Sequence, residues 1–277
     1  MHLHQIDYGP GAKLCGCSLR KANVPVKTNV GKYVEAKHPK LVRKISAVLS
    51  QAAKDLAATA VKEYEKLTKS DADIVKKILA TLNFDDVSVD IVDSITPELI
   101  RAFKQAGIFG VGQVGFSATG EITKQLDTLA FAYAEARGGE LIKDLAGTTE
   151  DAMKSLLNNA VEEGMSSQKL SDHIEELGAF GEARADMIAR TELAFAHVEG
   201  NVEGWRQTGE VEKKESILGD LHDVEDECDD CADAGAVGLE DDFIPGYSQP
   251  PYHPNCLCDL LPVLSEQADQ SNEGDDE

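Results

Sequence analysis

Cys228-Asp229-Asp230-Cys231, answered by Pro250-Pro251-Tyr252-His253-Pro254-Asn255-Cys256-Leu257-Cys258, is the stretch from which the rest of the chain is read. A pair of thiols comes first, then a gap, then a turn that delivers a histidine and two more thiols. Zn2+ takes thiolate and imidazole ligands in a closed tetrahedron, and two tight bites joined by a loop build one. Five candidate ligands stand for four positions: Cys228, Cys231, His253, Cys256 and Cys258. An all-thiolate set of Cys228, Cys231, Cys256 and Cys258 fits, and so does a set of three thiolates completed by His253. Either leaves no open position for water, which marks structural and not catalytic zinc. The 21 residues between Cys231 and His253 lie outside the standard finger spacings. Metal affinity is then coupled to folding of residues 210–264, a segment with few large apolar side chains. A short strand over Asn255–Leu264 would point the Cys256 and Cys258 sulfurs the same way, because residues i and i+2 of a strand share a face.

Length and charge set the frame. The 277 residues allow one large domain or two modest ones with an ample core. No apolar run reaches the roughly 18 residues that a membrane helix needs, and Met1-His2-Leu3-His4-Gln5 lacks the pattern of a signal peptide. A cytoplasmic site of synthesis and assembly is expected, where paired thiols read as metal or redox before disulfide. The net charge of −23 is uneven: residues 215–277 hold 19 Asp and Glu and no Lys or Arg, while residues 1–214 hold 27 basic and 31 acidic residues. Such an acidic C-terminal surface repels phosphate backbones and suits a basic protein partner.

The pattern along the chain is mainly helical. Residues 1–38, with Gly9-Pro10-Gly11, Pro25 and Gly31, read as an irregular arm in which Cys15 and Cys17 read first as unpaired thiols, with a second metal bite beside His2 and His4 as the alternative. A helix is expected from Pro39 to Lys69, since Leu41, Ile45, Leu49, Leu56 and Ala60 recur on one face. A shorter helix follows from Ser70, then a connector over 83–93, then a helix capped at Thr96-Pro97 that ends at Gly107. The five glycines of 107–120 suggest a flexible apolar hinge. Helices resume at Glu121, break at Gly138-Gly139, restart at Thr148-Thr149-Glu150-Asp151, restart again at Ser166-Ser167, and end with one long helix from Gly181 to about Thr208. A strand is expected over 210–219, and disorder over the acidic residues 265–277. The fold class is therefore mainly α, with a helical region (39–119), a second region of helices (120–208), and a small zinc-stapled α+β module (210–264).

The order of the motifs resembles a known family. Glu135-Ala136-Arg137-Gly138-Gly139-Glu140-Leu141-Ile142-Lys143 precedes Thr148-Thr149 and the Glu163-Gly164-Met165-Ser166 stop and cap. Next comes Arg184-Ala185-Asp186-Met187-Ile188-Ala189-Arg190-Thr191-Glu192, followed by the two cysteine motifs. Over roughly residues 120–264 this series resembles the Mu F-like head-morphogenesis proteins of tailed bacteriophages, also called minor head or minor capsid proteins. The resemblance implies a structural protein of the phage head with no enzymatic activity, acting in procapsid assembly at the portal vertex and in DNA retention or ejection. It implies the portal protein as partner, with scaffold or major capsid protein as further candidates, and a place in the host cytoplasm during assembly and then in the virion head. Members often carry a Trp in the strand before the thiols; Glu212–Ile217 has none.

Two other function classes remain open from the residues. In a zinc-dependent hydrolase, Glu192 would act as general base, although no His-Glu-x-x-His pair is present. In a DNA-binding protein, a basic N-terminal arm with Lys13, Arg20, Lys21, Lys27, Lys32, Lys37, Lys40, Arg43 and Lys44 would make the contact. Arg190 and Glu192 flank Thr191 and point roughly 200° apart on a helix, so the Arg190-Thr191-Glu192 motif is read as structural. Arg190 is expected to hold a carboxylate or a helix C-terminus, joined by His197, and Glu192 a backbone turn of the metal module. Trp205, the only tryptophan, is expected in the core.

Overall fold

The computed structural model describes residues 28–66, 73–220, 222 and 225–264. Cys15, Cys17, the basic residues before Thr28 and the acidic tail lie outside them. The first helix, α1 (Asn29–Lys66), starts ahead of Pro39 and carries that proline inside it. Residues 29–38, expected in the irregular arm, are helical because Val30 and Val34 extend the buried stripe of Leu41, Ile45, Leu49 and Leu56. The orphan amides of the first turn are also satisfied. The Thr28 hydroxyl accepts from the Gly31 amide at 2.9 Å, and Asp259 Oδ2, from the far end of the chain, accepts from the amides of Asn29 and Val30 at 3.1 and 3.2 Å.

After the short α2 (Ile74–Leu79) comes α3 (Phe84–Gln113), which Asn83 caps through the Asp86 amide. The expected connector and the expected start at Thr96-Pro97 are both replaced by one helix. Val87, Ile91, Ile95 and Leu99 form a continuous buried stripe across the proline. Tertiary burial outweighs the local breaker.

The expected glycine hinge is also corrected. Gly107 and Gly110 lie inside α3, where they bring it against α6 (Glu182–Thr208). A Cβ added to Gly204 would lie 2.1 Å from the Gly107 carbonyl oxygen, one on Gly200 would lie 2.2 Å from that of Phe103, and one on Gly110 would lie 2.4 Å from that of Asn201. The two backbones touch, and only residues without a side chain allow it.

Next in the chain after α3 is α4 (Gly120–Glu163), one unbroken helix from the Thr119 cap to Gly164, the latter in the left-handed region at φ 63°. Neither Gly138-Gly139 nor Thr148-Thr149 interrupts it. The two threonine hydroxyls turn back to the carbonyls of Asp144 and Leu145, each at 2.7 Å, which satisfies them inside a helix. Then come α5 (Ser167–Glu175), capped by Ser166 as expected, a 3-10 turn (Gly178–Phe180), and α6. Trp205 is fully buried, as expected, and its indole N–H donates to Gln113 Oε1 at 3.0 Å.

The C-terminal module comprises β1 (Val211–Ile217), α7 (Glu227–Asp233), β2 (Val237–Gly238) and β3 (Asp259–Leu264). The strands form an antiparallel sheet in the order β2-β1-β3, with Ser216 opposite Leu260. In the strand that lacks a Trp, Lys214 and Ser216 point inward. The Lys214 ammonium donates to the Leu239 carbonyl at 2.8 Å and lies over the Phe243 ring, and Ser216 accepts from the Tyr252 hydroxyl at 3.0 Å. Among the described residues, no helix is long and apolar enough to cross a membrane.

The backbone contact between α3 and α6 makes a direct prediction. Gly204→Ala should lower stability by about 1–3 kcal/mol, because the new methyl meets a carbonyl. Gly139→Ala, on the open side of α4 with nothing within 4 Å of the added Cβ, should raise it by about 0.5–1 kcal/mol. Denaturant midpoints of the two variants would check the contrast; equal midpoints would refute it.

Candidate metal centre

Three elements converge on the thiols. The end of β1 leads through Leu218 and Gly219 to His222. Helix α7 presents Cys228, and the loop before β3 presents His253, Cys256 and Cys258. Cys256 and Cys258 precede the strand, which starts at Asp259, so the expectation that a strand carries them is corrected. What aims the loop instead is a set of backbone contacts. The Gly219 amide donates to Cys258 Sγ at 3.5 Å, and Gly219 packs so close to Leu257 that an added Cβ would lie 2.6 Å from the Leu257 carbonyl oxygen. That same carbonyl accepts from the Thr28 hydroxyl at 2.9 Å. Asn255, in the left-handed region at φ 65°, donates its amide to Thr191 Oγ1 at 3.0 Å.

The helix that carries Cys228 is short, and a capping box starts it: Asp226 Oδ1 accepts from the Cys228 amide at 2.8 Å, and Asp229 Oδ2 accepts from the Asp226 amide at 3.0 Å. Cys228, Cys231, Cys256 and Cys258 are all buried and unbridged. Two groups of donor atoms, each with members within 4.8 Å of one another, share Cys228: one adds Cys256 and His253, the other adds Cys258 and His222. Cys228 Sγ lies 3.7 Å from Cys256 Sγ and 3.3 Å from His253 Nε2. A tetrahedron with metal–sulfur bonds of about 2.3 Å has sulfur–sulfur edges of about 3.8 Å, so the donor set fits Zn2+ in kind and spacing. Hydrogen bonds from Cys228 and Cys258 hold the Cys256 thiol well below its ordinary value, while the corresponding bonds push that of Cys228 up.

Of the five residues expected from sequence, four thus come together and Cys231 stands apart. Its thiol joins the main apolar core with Tyr252 beside it, and burial raises its pKa to about 11. His222 is an addition to the expected set. Nothing in its spacing, six residues ahead of Cys228 inside an acidic run, follows a known ligand pattern.

The Arg190-Thr191-Glu192 motif divides its work, with Arg190 on a carboxylate as expected and Glu192 elsewhere than expected. Arg190 pairs with Asp186 on its own helix at 3.5 Å, and it is Thr191, not Glu192, that holds the turn of the metal module. Glu192 is buried and takes a two-pronged hydrogen bond from Arg137 of α4, at 2.8 Å from Nε and 2.7 Å from Nη2. The guanidinium also lies 4.3 Å over the Phe195 ring. Burial works against the Arg137 charge, but the Glu192 hydrogen bonds outweigh it and raise its pKa. His197 does not join Arg190. It is buried against Tyr33, with ring centroids 4.9 Å apart, and among the described residues neither of its nitrogens has a hydrogen-bond partner. Burial lowers its pKa from 6.5 to about 4.

Residues 151–261 match the family model described as Phage Mu protein F like protein. The match runs from the second half of α4 into β3 and spans every donor residue, which bears out the family expected from the motif series. No curated protein and no solved structure matches the chain.

Two outcomes are expected from α6. Removing one partner of a buried ion pair strands the other, so Arg137→Met should cost about 3 kcal/mol, and adding Glu192→Leu should recover part of that loss. A double-mutant cycle by denaturant unfolding reads the difference; additive losses would count against the pairing. Between about pH 6.5 and 4 the unfolded chain binds a proton at residue 197 that the folded chain excludes. The stability this represents, about 3 kcal/mol, is present above pH 6.5 and is lost as pH falls through that window. His197→Leu should flatten that limb of the stability–pH curve, as read by thermal unfolding across the range.

Proposed function

We propose that the chain is a structural minor head protein of a tailed phage, acting in procapsid assembly at the portal vertex, with its C-terminal module closed by one structural zinc. The family match over the part of the chain that contains α6 and the thiols is the observation that carries this reading. The donor set supports the zinc: buried thiols and two imidazoles lie in two groups that share Cys228, and together they offer five donors where a tetrahedral ion takes four. Such an ion would hold α7 to the loop before β3 and stabilise a segment whose own apolar content is small. The virion head, reached from the host cytoplasm, is the matching location, and the portal protein the matching partner, with scaffold or major capsid protein beside it. A role in DNA retention or ejection belongs to the same reading.

The structure favours neither other class. A general base must be free to take a proton, and Glu192 is buried and held by both prongs of Arg137. In the basic stretch, Lys40 and Lys44 of α1 are bound to Glu98 at 3.0 and 3.1 Å, which leaves less of the charge for phosphates.

The intact chain should carry one zinc per molecule by elemental analysis. A strong chelator should expose residues 210–264 to limited proteolysis while the helical region stays resistant. A metal-free protein with that segment still protected would overturn the zinc. Affinity purification from infected cells should bring down the portal ring; recovery with no head component would overturn the assembly role.

A further inference from the structure

We propose that His222 is the fourth ligand of the metal, through Nδ1, beside Cys228, Cys256 and Cys258, and that neither Cys231 nor His253 binds it. This rests on the reading of the centre as a zinc site. Four observations lead to His222. Its ring has a donor nitrogen within 4.8 Å of both Cys228 Sγ and Cys258 Sγ, so it completes the side of the centre that His253 does not reach. Its Nε2 lies 2.8 Å from Asp229 Oδ2, and that carboxylate is itself fixed by the Asp226 amide. A ligating histidine is oriented in this way: one nitrogen donates to a carboxylate, and the other keeps its lone pair for the metal. The His222 side chain is 9% exposed and that of His253 is 32% exposed, so the first is the one desolvated with the thiols.

The fourth observation is what faces His253. Its Nδ1 is 2.8 Å from the Pro254 carbonyl, and its Nε2 is 3.4 Å from Asp226 Oδ2 and 3.3 Å from Cys228 Sγ. With Nδ1 turned to the Pro254 carbonyl, Nε2 is shared between the Asp226 carboxylate and the Cys228 sulfur, which places the ring at the exposed rim of the centre as a hydrogen-bonding neighbour of the thiol. Cys231, the other half of the C-x-x-C pair, belongs to neither group of converging donor atoms and is packed into the core beside Tyr252. The capping box therefore has a second use. Asp229 both starts α7 and aims His222, and Asp226 both caps α7 and faces Nε2 of His253 at 3.4 Å.

Cobalt(II) titration of the intact chain tests this by absorption spectroscopy, with circular dichroism to follow folding. Three sulfurs and one nitrogen are expected in the unaltered chain. His222→Ala should shift the ligand-field bands and weaken cobalt binding by at least roughly tenfold. His222→Cys should retain cobalt and raise the sulfur-to-metal charge-transfer intensity by about a third, from three thiolates to four. Cys231→Ser and His253→Ala should leave the band positions and the charge-transfer intensity unchanged. Loss of charge-transfer intensity in Cys231→Ser, or displaced ligand-field bands in His253→Ala, overturns the proposal, as does an unaltered spectrum in His222→Ala. If His222→Ala does not fold, the His222→Cys spectrum decides. Failure of the unaltered chain to bind either cobalt or zinc overturns the zinc reading itself.

Discussion

The contact on which the structure depends is the one between the backbones of α3 and α6. Gly107, Gly110, Gly200 and Gly204 let the two helices meet carbonyl to Cα, nearer than any side chain allows. The position of α6 is thereby fixed, and α6 in turn holds its neighbours. Its Thr191 takes the amide of Asn255, its Glu192 locks Arg137 and with it α4, and its Arg206 grips Glu240 through Nε and Nη2 at 2.8 and 2.9 Å. The C-terminal module joins the main core through Val211, Phe243, Leu257 and Leu260, and polar contacts from α6 add direction to that burial.

The same contacts moderate the charge imbalance of the chain. The module is acidic, yet its inward-facing Lys214 and the neighbouring Arg206 answer part of that charge from within. Glu240 sits below its ordinary pKa because Arg206 bonds to it. Lys214 goes the other way: burial lowers its pKa, and the acids around it only partly offset that. The outward face is thus still acidic, and it suits a basic protein surface better than a nucleic acid.

Burial patterns and donor types are the legible part of the sequence. The stripe of α1, the strand β1, the buried Trp205 and the convergence of Cys228, Cys256, Cys258 and His253 all follow from local spacing. The departures share a cause. Gly107, Gly110 and Gly138 look like loop residues because nothing local reports that a second helix, or a valine such as Val92, lies against them. The start of α1 at Asn29 has a local cap in Thr28, but its first two amides are taken by the carboxylate at position 259, which no neighbouring residue announces. Pro97 and Thr148-Thr149 are good helix starters whose preference is overridden by stripes of buried residues that run through them. His222 and Thr191 give no local sign of their place beside the thiol loop: Asn255 lies several elements beyond Thr191, and the spacing from His222 to Cys228 and Asp229 follows no ligand pattern.

The tie between Thr28, Leu257 and Asp259 spans 229 residues of sequence. A ribosome makes α1 early, so the Asn29 and Val30 amides emerge well before Asp259, the carboxylate that accepts from them. The helical layers can assemble in the order of their synthesis, but the seam between the first helix and β3 closes only after Asp259 has emerged. A chain stopped before Leu257 therefore lacks both the thiol loop and the carboxylate that takes the first two amides of α1.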